Sequence, residues 1–179
     1  MQVAKTGARL TLSFSGMESR FLLRTLGQII ANYQLKPNEI DPKAASVWYS
    51  TRGCDRAGMS AEETREWVEN LQQFKSANVQ LLKSWSRSAG RSKEGQSRFS
   101  LKLEDAPILL TALNDHRLLL AATHDIGQEE MDLRGLSTLQ ILKPAQQLAL
   151  SEIHFLACVI EEVLQFLPGN PADWLGSQS

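Results

Sequence analysis

The sequence predicts a mainly α-helical domain that contains a small two-stranded β-sheet. Two short segments, RLTLSF at 9–14 and RFSLKL at 98–103, alternate apolar and polar residues with the period of a half-buried strand. Each is followed by a segment in which apolar residues recur every three or four positions, which is the spacing of an amphipathic helix. We therefore expect two strand–helix units whose strands pair, because an unpaired strand leaves its backbone groups without hydrogen bonds.

The first unit continues into a helix that is predicted over 17–34. An apolar stripe runs through it from Phe21 to Tyr33, and a proline follows shortly afterwards. Residues 35–58 contain several Pro and Gly residues and show little periodicity, so we expect mostly loop there, with a short helix around Lys43–Tyr49.

A long amphipathic helix is predicted over 61–86. Ser60 followed by Glu63 is a capping-box pattern, in which the hydroxyl and the carboxylate satisfy backbone N–H groups at the start of a helix. The opposite side of the helix carries Glu, Gln, Arg and Lys and is expected to face solvent. The residues expected to face the core are Trp67, Leu71, Phe74, Asn78, Leu82 and Trp85.

The second unit begins after a connector. Residues 86–97 are mainly Ser, Gly and basic residues, which predicts a flexible linker before the second strand. A helix is then predicted over 105–125, with Asp105 as its cap, and a short helix or turn is predicted over Glu129–Leu136.

The last helix is predicted over 144–167. It is apolar on nearly all sides, so we expect it to be the central and most buried helix of the domain. Residues 168–179 form a tail rich in Pro, Gly and Ser. The length of the chain fits one well-cored domain, so we assign 1–179 to a single domain.

Composition narrows the class of protein. The 19 Lys and Arg residues against 20 Asp and Glu residues give a net charge of −1, which argues against a dedicated nucleic-acid-binding protein. No stretch reaches the roughly 18 apolar residues that a membrane span needs, so no membrane association is expected. Cys54 and Cys158 fall in dissimilar segments, so we expect no structural disulfide and a reducing, cytoplasmic location.

Four consecutive polar residues interrupt the apolar helix predicted over 105–125: Asn114, Asp115, His116 and Arg117. At 100° per residue they spread over about 300° of the helix circumference, so at least one must point towards the apolar side. Three interpretations remain open: a polar clasp between helices, a site for a ligand or partner, or an exposed surface. We expect His116 to face solvent.

Arg117 and Asn114 are expected to share one helix face. A buried guanidinium needs partners, because leaving its donors unpaired costs several kcal/mol. Glu161 and Glu162 on the last helix are the expected acceptors. These four residues, together with Asp115, are the candidate clasp or contact residues.

A second candidate group lies on the last helix. His154, Cys158 and Glu161 stand at positions i, i+4 and i+7, and their side chains are of the types that bind metals. No HExxH or CxxC motif accompanies them, so a polar seam is the favoured interpretation and no metal or cofactor is expected. The sequence also has no phosphate loop, GxSxG turn or paired-carboxylate arrangement on which to base an enzyme, so a small enzyme is the third and least favoured interpretation and no catalytic residue is named.

The segment ALNDHRLLLAATHDI, after a short strand and an amphipathic helix, resembles an uncharacterised bacterial family catalogued as domain of unknown function two-thousand-seventeen. The resemblance implies a mainly helical fold and a motif of the form Leu-Asn-Asp-x-Arg-Leu-x-Leu. Asn114, Asp115 and Arg117 match that motif, whereas His116 falls at its variable position. The family has no assigned activity. Its genes often adjoin that of the Clp protease adaptor, which implies a link to regulated proteolysis.

We therefore expect a non-enzymatic binding or regulatory module of the bacterial cytoplasm, with a protein partner and a link to Clp-type proteolysis. The alternative is a protein that binds a small anion through Arg117, or a metal through the His154, Cys158 and Glu161 group.

Overall fold

Three antiparallel strands of five or six residues form a small sheet, and the helices pack mainly against one of its faces. The structure is a computed structural model, and it describes residues 1–91, 97–132 and 141–167. In chain order the elements are β1 (Gln2–Thr6), β2 (Arg9–Phe14), α1 (Gly16–Tyr33), α2 (Pro42–Trp48), α3 (Arg52–Ala57), α4 (Ala61–Ser88), β3 (Gly90–Arg91), β4 (Ser97–Lys102), α5 (Ala106–Thr123), α6 (Gln128–Met131) and α7 (Pro144–Leu164).

The prediction of a mainly helical domain with a small sheet is confirmed, but the prediction of two strands is wrong. β2 and β4 pair as expected, and β1 adds a third strand on the free edge of β2. The sequence pattern missed β1 because it is exposed over nearly its whole length and therefore shows no apolar alternation. The two residues of β3 extend the other edge by pairing with the start of β4.

A tight hairpin joins β1 to β2. Thr6 lies opposite Arg9, so only two residues form the turn, and Gly7 adopts a φ of 58°. Two-residue hairpins need a positive φ at their first central position, which glycine supplies without a steric penalty. Gly7 therefore sets the register that turns Leu10, Leu12 and Phe14 towards the helices.

The helix nearest the centre is α5, because it packs against α1, α2 and α7. The expectation that the last helix is the central one is not met. One side of α7 is buried through Leu150, Ile153 and Leu156, but the side chain of Leu148 is 73% exposed. Hydropathy predicts how apolar a helix is, whereas its layer in the fold depends on which neighbours cover it.

The long helix α4 is rotated relative to the prediction. Leu82 and Trp85 are buried as expected, but Trp67 and Phe74 are each 46% exposed. Their places on the inner side are taken by Val79 and by Lys75, a charged residue that had been assigned to solvent. The Ser60–Glu63 capping box is present and fixes the start of the helix.

The remaining segments follow the prediction to different extents. The short helix expected around Lys43–Tyr49 is α2, but α3 occupies part of the segment predicted to be loop. α4 extends to Ser88, so the predicted connector starts later than expected. Its residues 92–96 and the tail 168–179 lie outside the described residues.

Candidate functional site

The four polar residues on α5 point in different directions. Asn114 is exposed and Arg117 is half-buried, whereas Asp115 is largely buried. His116 is only 1% exposed, so the expectation that it faces solvent is wrong. The two adjacent inward residues, about 100° apart around the helix, reach two different polar clusters.

Asp115 belongs to the first cluster, which we call the Lys75 cage. Lys75 is only 3% exposed. Its ammonium group binds a carboxylate oxygen of Asp115 and lies 5.0 to 5.8 Å from the ring centroids of Tyr33, Trp48 and Tyr49. The Tyr33 hydroxyl donates to the same carboxylate at 2.5 Å, and the Trp48 indole N–H donates to the backbone carbonyl of Asp115 at 2.6 Å. The cage therefore ties α1, α2 and α4 to α5.

The aromatic walls stabilise the buried charge as well as excluding water. A cation over an aromatic face is attracted to the ring quadrupole, an effect that strengthens when the cation is desolvated. Burial raises the pKa of Tyr33, and the charge of Asp115 and the hydrogen bond to it raise it further. Burial and the charge of Asp115 also raise the pKa of Tyr49. Both hydroxyls therefore remain protonated, which keeps Tyr33 a donor to the carboxylate.

His116 belongs to the second cluster, which we call the Glu152 cluster. The carboxylate of Glu152 on α7 accepts hydrogen bonds from Arg24 at 2.8 Å and from Thr25 at 2.7 Å, both on α1. His116 Nε2 lies 3.2 Å from the same carboxylate. An ionised carboxylate can only accept, so Nε2 carries the proton, and the cluster joins α1, α5 and α7.

Glu152 is held in its ionised form. Burial by itself raises the pKa of this carboxyl, but the hydrogen bonds from His116 and Thr25, together with the charge of Arg24, outweigh burial. The net effect is a pKa below the ordinary value of 4.5.

His116 resembles half of a catalytic dyad, since an imidazole whose N–H points at a carboxylate leaves its other nitrogen free as a base. Nδ1 of His116 has no hydrogen-bond partner among the described residues, and it is also shielded from solvent. His116 borders a cleft of about 370 Å³ between α1 and α5. Because Nδ1 is not accessible, the arrangement is not set up to take a proton from a substrate.

The expected clasp between Arg117 and the last helix is not formed. Arg117 makes no ion pair with Glu161, which is exposed, or with Glu162, which is half-buried. Its Nε is buried and has no hydrogen-bond partner within the described ranges. The acidic residue of α7 that reaches α5 is Glu152, which the sequence pattern did not single out.

The three residues of the candidate metal group lie in different surroundings and do not form a common site. His154 donates to the backbone carbonyl of Met131 at 3.0 Å, while Cys158 and Glu161 are exposed. In the part of the chain that the structure describes, no three His, Cys, Asp or Glu side chains are grouped so that they could hold a metal ion. None of the described helices is both long enough and apolar enough to span a bilayer.

The fold and the two clusters define a mainly helical domain with a small antiparallel sheet, in which interior polar contacts join the helices. A family model described as Domain of unknown function (DUF2017) matches residues 2–167. The chain therefore belongs to this family, and the resemblance carried by the Asn114–Arg117 segment is confirmed. No curated protein and no solved structure matches the chain.

The Lys75–Asp115 pair should show strong energetic coupling. We expect Asp115→Ala to lower the free energy of unfolding by about 3–5 kcal/mol, because it leaves the buried ammonium uncompensated. Lys75→Met should cost less, since Asp115 keeps the Tyr33 hydrogen bond. The double variant should be about 1–3 kcal/mol more stable than the sum of the single effects, as measured by urea unfolding.

The matched control for this cycle is the exposed pair Lys43–Asp125, whose side-chain atoms are 2.7 Å apart. Lys43→Met combined with Asp125→Asn should give additive effects, because solvent screens an exposed pair. Additive effects at Lys75 and Asp115 as well would contradict the assignment of the cage as a coupled unit.

The Glu152 cluster should make the free energy of unfolding depend on pH in the acidic range. The pKa of Glu152 is lowered by folding, so its contribution is present above the unfolded pKa and is lost as pH falls through the folded pKa. At pH 7 we expect Glu152→Gln to cost about 1.5–3 kcal/mol, the range for hydrogen bonds to a charged group. This difference should shrink between pH 5 and pH 3 in thermal or urea unfolding. Glu161→Gln, exposed on the same helix, is the control, and a constant difference for Glu152→Gln would refute the assignment.

Proposed function

We propose that the chain is a non-enzymatic protein-binding module that acts in a regulatory role in the bacterial cytoplasm. Its inward polar residues support a structural role, because Asp115, His116, Lys75 and Glu152 are all engaged with one another or with neighbouring helices. The observation that carries the proposal is the outer side of α4, where the rings of Trp67 and Phe74 stand exposed one above the other.

Trp67 and Phe74 are two half-exposed aromatic residues at a spacing of seven positions on one helix. Positions i and i+7 lie on the same side of an α-helix, so the two rings form one surface together with the neighbouring residues on that side. Tyr, Trp and Phe are enriched in protein interfaces, where they supply large contact areas at a small cost in side-chain entropy. We call the outer surface formed by Trp67, Asn70, Phe74, Ala77 and Leu81 the α4 stripe, and we propose it as the contact surface.

Within this class we propose a narrower role beside the Clp protein-degradation machinery. Its support is the gene neighbourhood implied by the family to which the chain belongs. The interior clusters are compatible with such a role because they make the domain a rigid support for the α4 stripe, and a preorganised surface loses little entropy on binding.

Photo-crosslinking in cells tests the contact surface. Benzoyl-phenylalanine placed at position 74 should give a discrete covalent adduct with a protein partner, because the ring at this position is exposed at the centre of the α4 stripe. The same residue placed at position 17 is the control, since Met17 is also exposed and apolar but lies on α1. Equal adducts at both positions, or none at position 74, would refute the proposal.

Affinity capture of an epitope-tagged chain from the same cells tests the narrower role. Clp ATPase or adaptor subunits should be enriched over a mock capture, as measured by mass spectrometry. If they are not enriched, the Clp link fails, while the assignment of the α4 stripe is judged by the adducts alone.

Anion binding at Arg117 is the second candidate function. It is favoured by the guanidinium group of Arg117, which is half-buried and forms no ion pair with a carboxylate of the described residues. Phosphate that binds the folded state raises the melting temperature, since a ligand specific for the native form stabilises it. We expect a rise of several degrees with inorganic phosphate at constant ionic strength if Arg117 is an anion site, and no rise for Arg117→Gln. Equal responses of the two proteins would exclude the site.

A further inference from the structure

The five residues of the α4 stripe, together with Ser84 one turn further on, follow a heptad pattern along α4. Large apolar residues recur every seven positions as Trp67, Phe74 and Leu81. Small or short polar residues recur between them as Asn70, Ala77 and Ser84. In a coiled coil these two sets occupy the a and d positions that face the partner helix. Five of the six residues are exposed, whereas Leu81 is half-buried and packs partly against the core, so only its outer part is accessible to a partner.

We infer that the partner of the α4 stripe is a second copy of this chain, whose α4 packs against the first in the antiparallel direction. The inference rests on the proposed function, since it names the occupant of the same surface. Antiparallel helices bring each a position opposite a d position of the partner. Phe74 then faces Ala77, Trp67 faces Ser84 and Leu81 faces Asn70, so every large side chain meets a smaller one.

A parallel arrangement of the two helices fits less well. It stacks like positions on one another, so that the Trp67 rings meet across the axis while the Ala77 positions leave a gap. Interdigitation across a contact is easier where a large side chain lies opposite a small one. The size pattern of the α4 stripe therefore selects the antiparallel direction.

Charges beside the stripe favour the same direction. The flanking g positions are Glu66, Gln73, Gln80 and Arg87, and all four are exposed. In an antiparallel pair the g positions face one another, so Glu66 of each copy meets Arg87 of the other, and Gln73 meets Gln80. Among the described residues, neither Glu66 nor Arg87 forms an ion pair within its own chain. Both are thus available for the twofold-related contact.

The expected affinity is moderate. The exposed parts of two Trp67 and two Phe74 rings amount to roughly 400 Å². A stable interface buries at least about 1,200 Å², so the polar residues along the helix must supply the remainder. We therefore expect a dimer with a dissociation constant in the micromolar range, on the order of 1–50 µM.

Sedimentation analysis of the purified chain, from about 1 to 200 µM, tests the inference across the range of a micromolar equilibrium. The wild type should shift from monomer to dimer with increasing concentration. Ala77→Lys should remain monomeric with unchanged helical circular dichroism, because the new side chain occupies the space expected for Phe74 of the partner. Glu69→Lys, exposed on another side of α4, is the control and should dimerise as the wild type does.

The direction of pairing is tested by charge reversal. Glu66→Arg and Arg87→Glu should each weaken the dimer about tenfold, because each places like charges together at both symmetry-related contacts. The combined variant should return to within about threefold of the wild type.

Each alternative outcome is decisive. A monomeric wild type, or a dimer that Ala77→Lys leaves intact, overturns the inference. If Ala77→Lys disrupts the dimer but neither Glu66→Arg nor Arg87→Glu weakens it, the antiparallel register is wrong. A monomeric purified chain whose residue 74 crosslinks to another protein in cells overturns the dimer and leaves the proposed function standing.

Discussion

The burial of two opposite charges, Lys75 and Asp115, is the constraint on which the helical packing depends. Neither can be buried alone at an acceptable cost, so α4 and α5 must come together in the orientation that pairs them. Tyr33 and Trp48 complete the hydrogen bonds of Asp115, which brings α1 and α2 to the same point. The next residue, His116, extends the same principle to α7 through Glu152.

The same ion pair accounts for the exposed ring of Phe74. Adjacent residues on a helix are 100° apart, so a rotation that points Lys75 at Asp115 turns Phe74 away from the core. Trp67 lies on the same side of α4 as the buried Trp85, five helical turns later, so its exposure follows from its place near the start of the helix rather than from the rotation. The interior cage and the exposed ring of Phe74 are thus two results of one rotational setting of α4.

Much of the fold follows from local pattern. The alternation at 9–14 predicted β2 without error, the Ser60–Glu63 box located the start of α4, and the long apolar segment after 144 located α7. β1 was not predicted, because an exposed edge strand has no apolar face and so shows no alternation in the sequence. The burial of Lys75 was not predicted, because nothing in its local sequence indicates a carboxylate 40 residues away. A lysine placed between the inward positions Leu71 and Val79 is the one local feature that points to a buried charge. For the candidate site, the importance of Asn114–Arg117 was visible in the sequence, but their partners depend on tertiary contacts.

The sequence separations within the Lys75 cage affect how the chain folds. Asp115 meets residues that lie 40, 67 and 82 positions before it, so every contact of the cage joins distant parts of the sequence. Closing such loops costs entropy that only the complete set of contacts repays. A compact state that lacks α5 leaves the lysine between aromatic rings without its counter-charge. Collapsed states without α5 are therefore destabilised by an uncompensated buried charge, and this packing of α4 becomes stable only once α5 is in place.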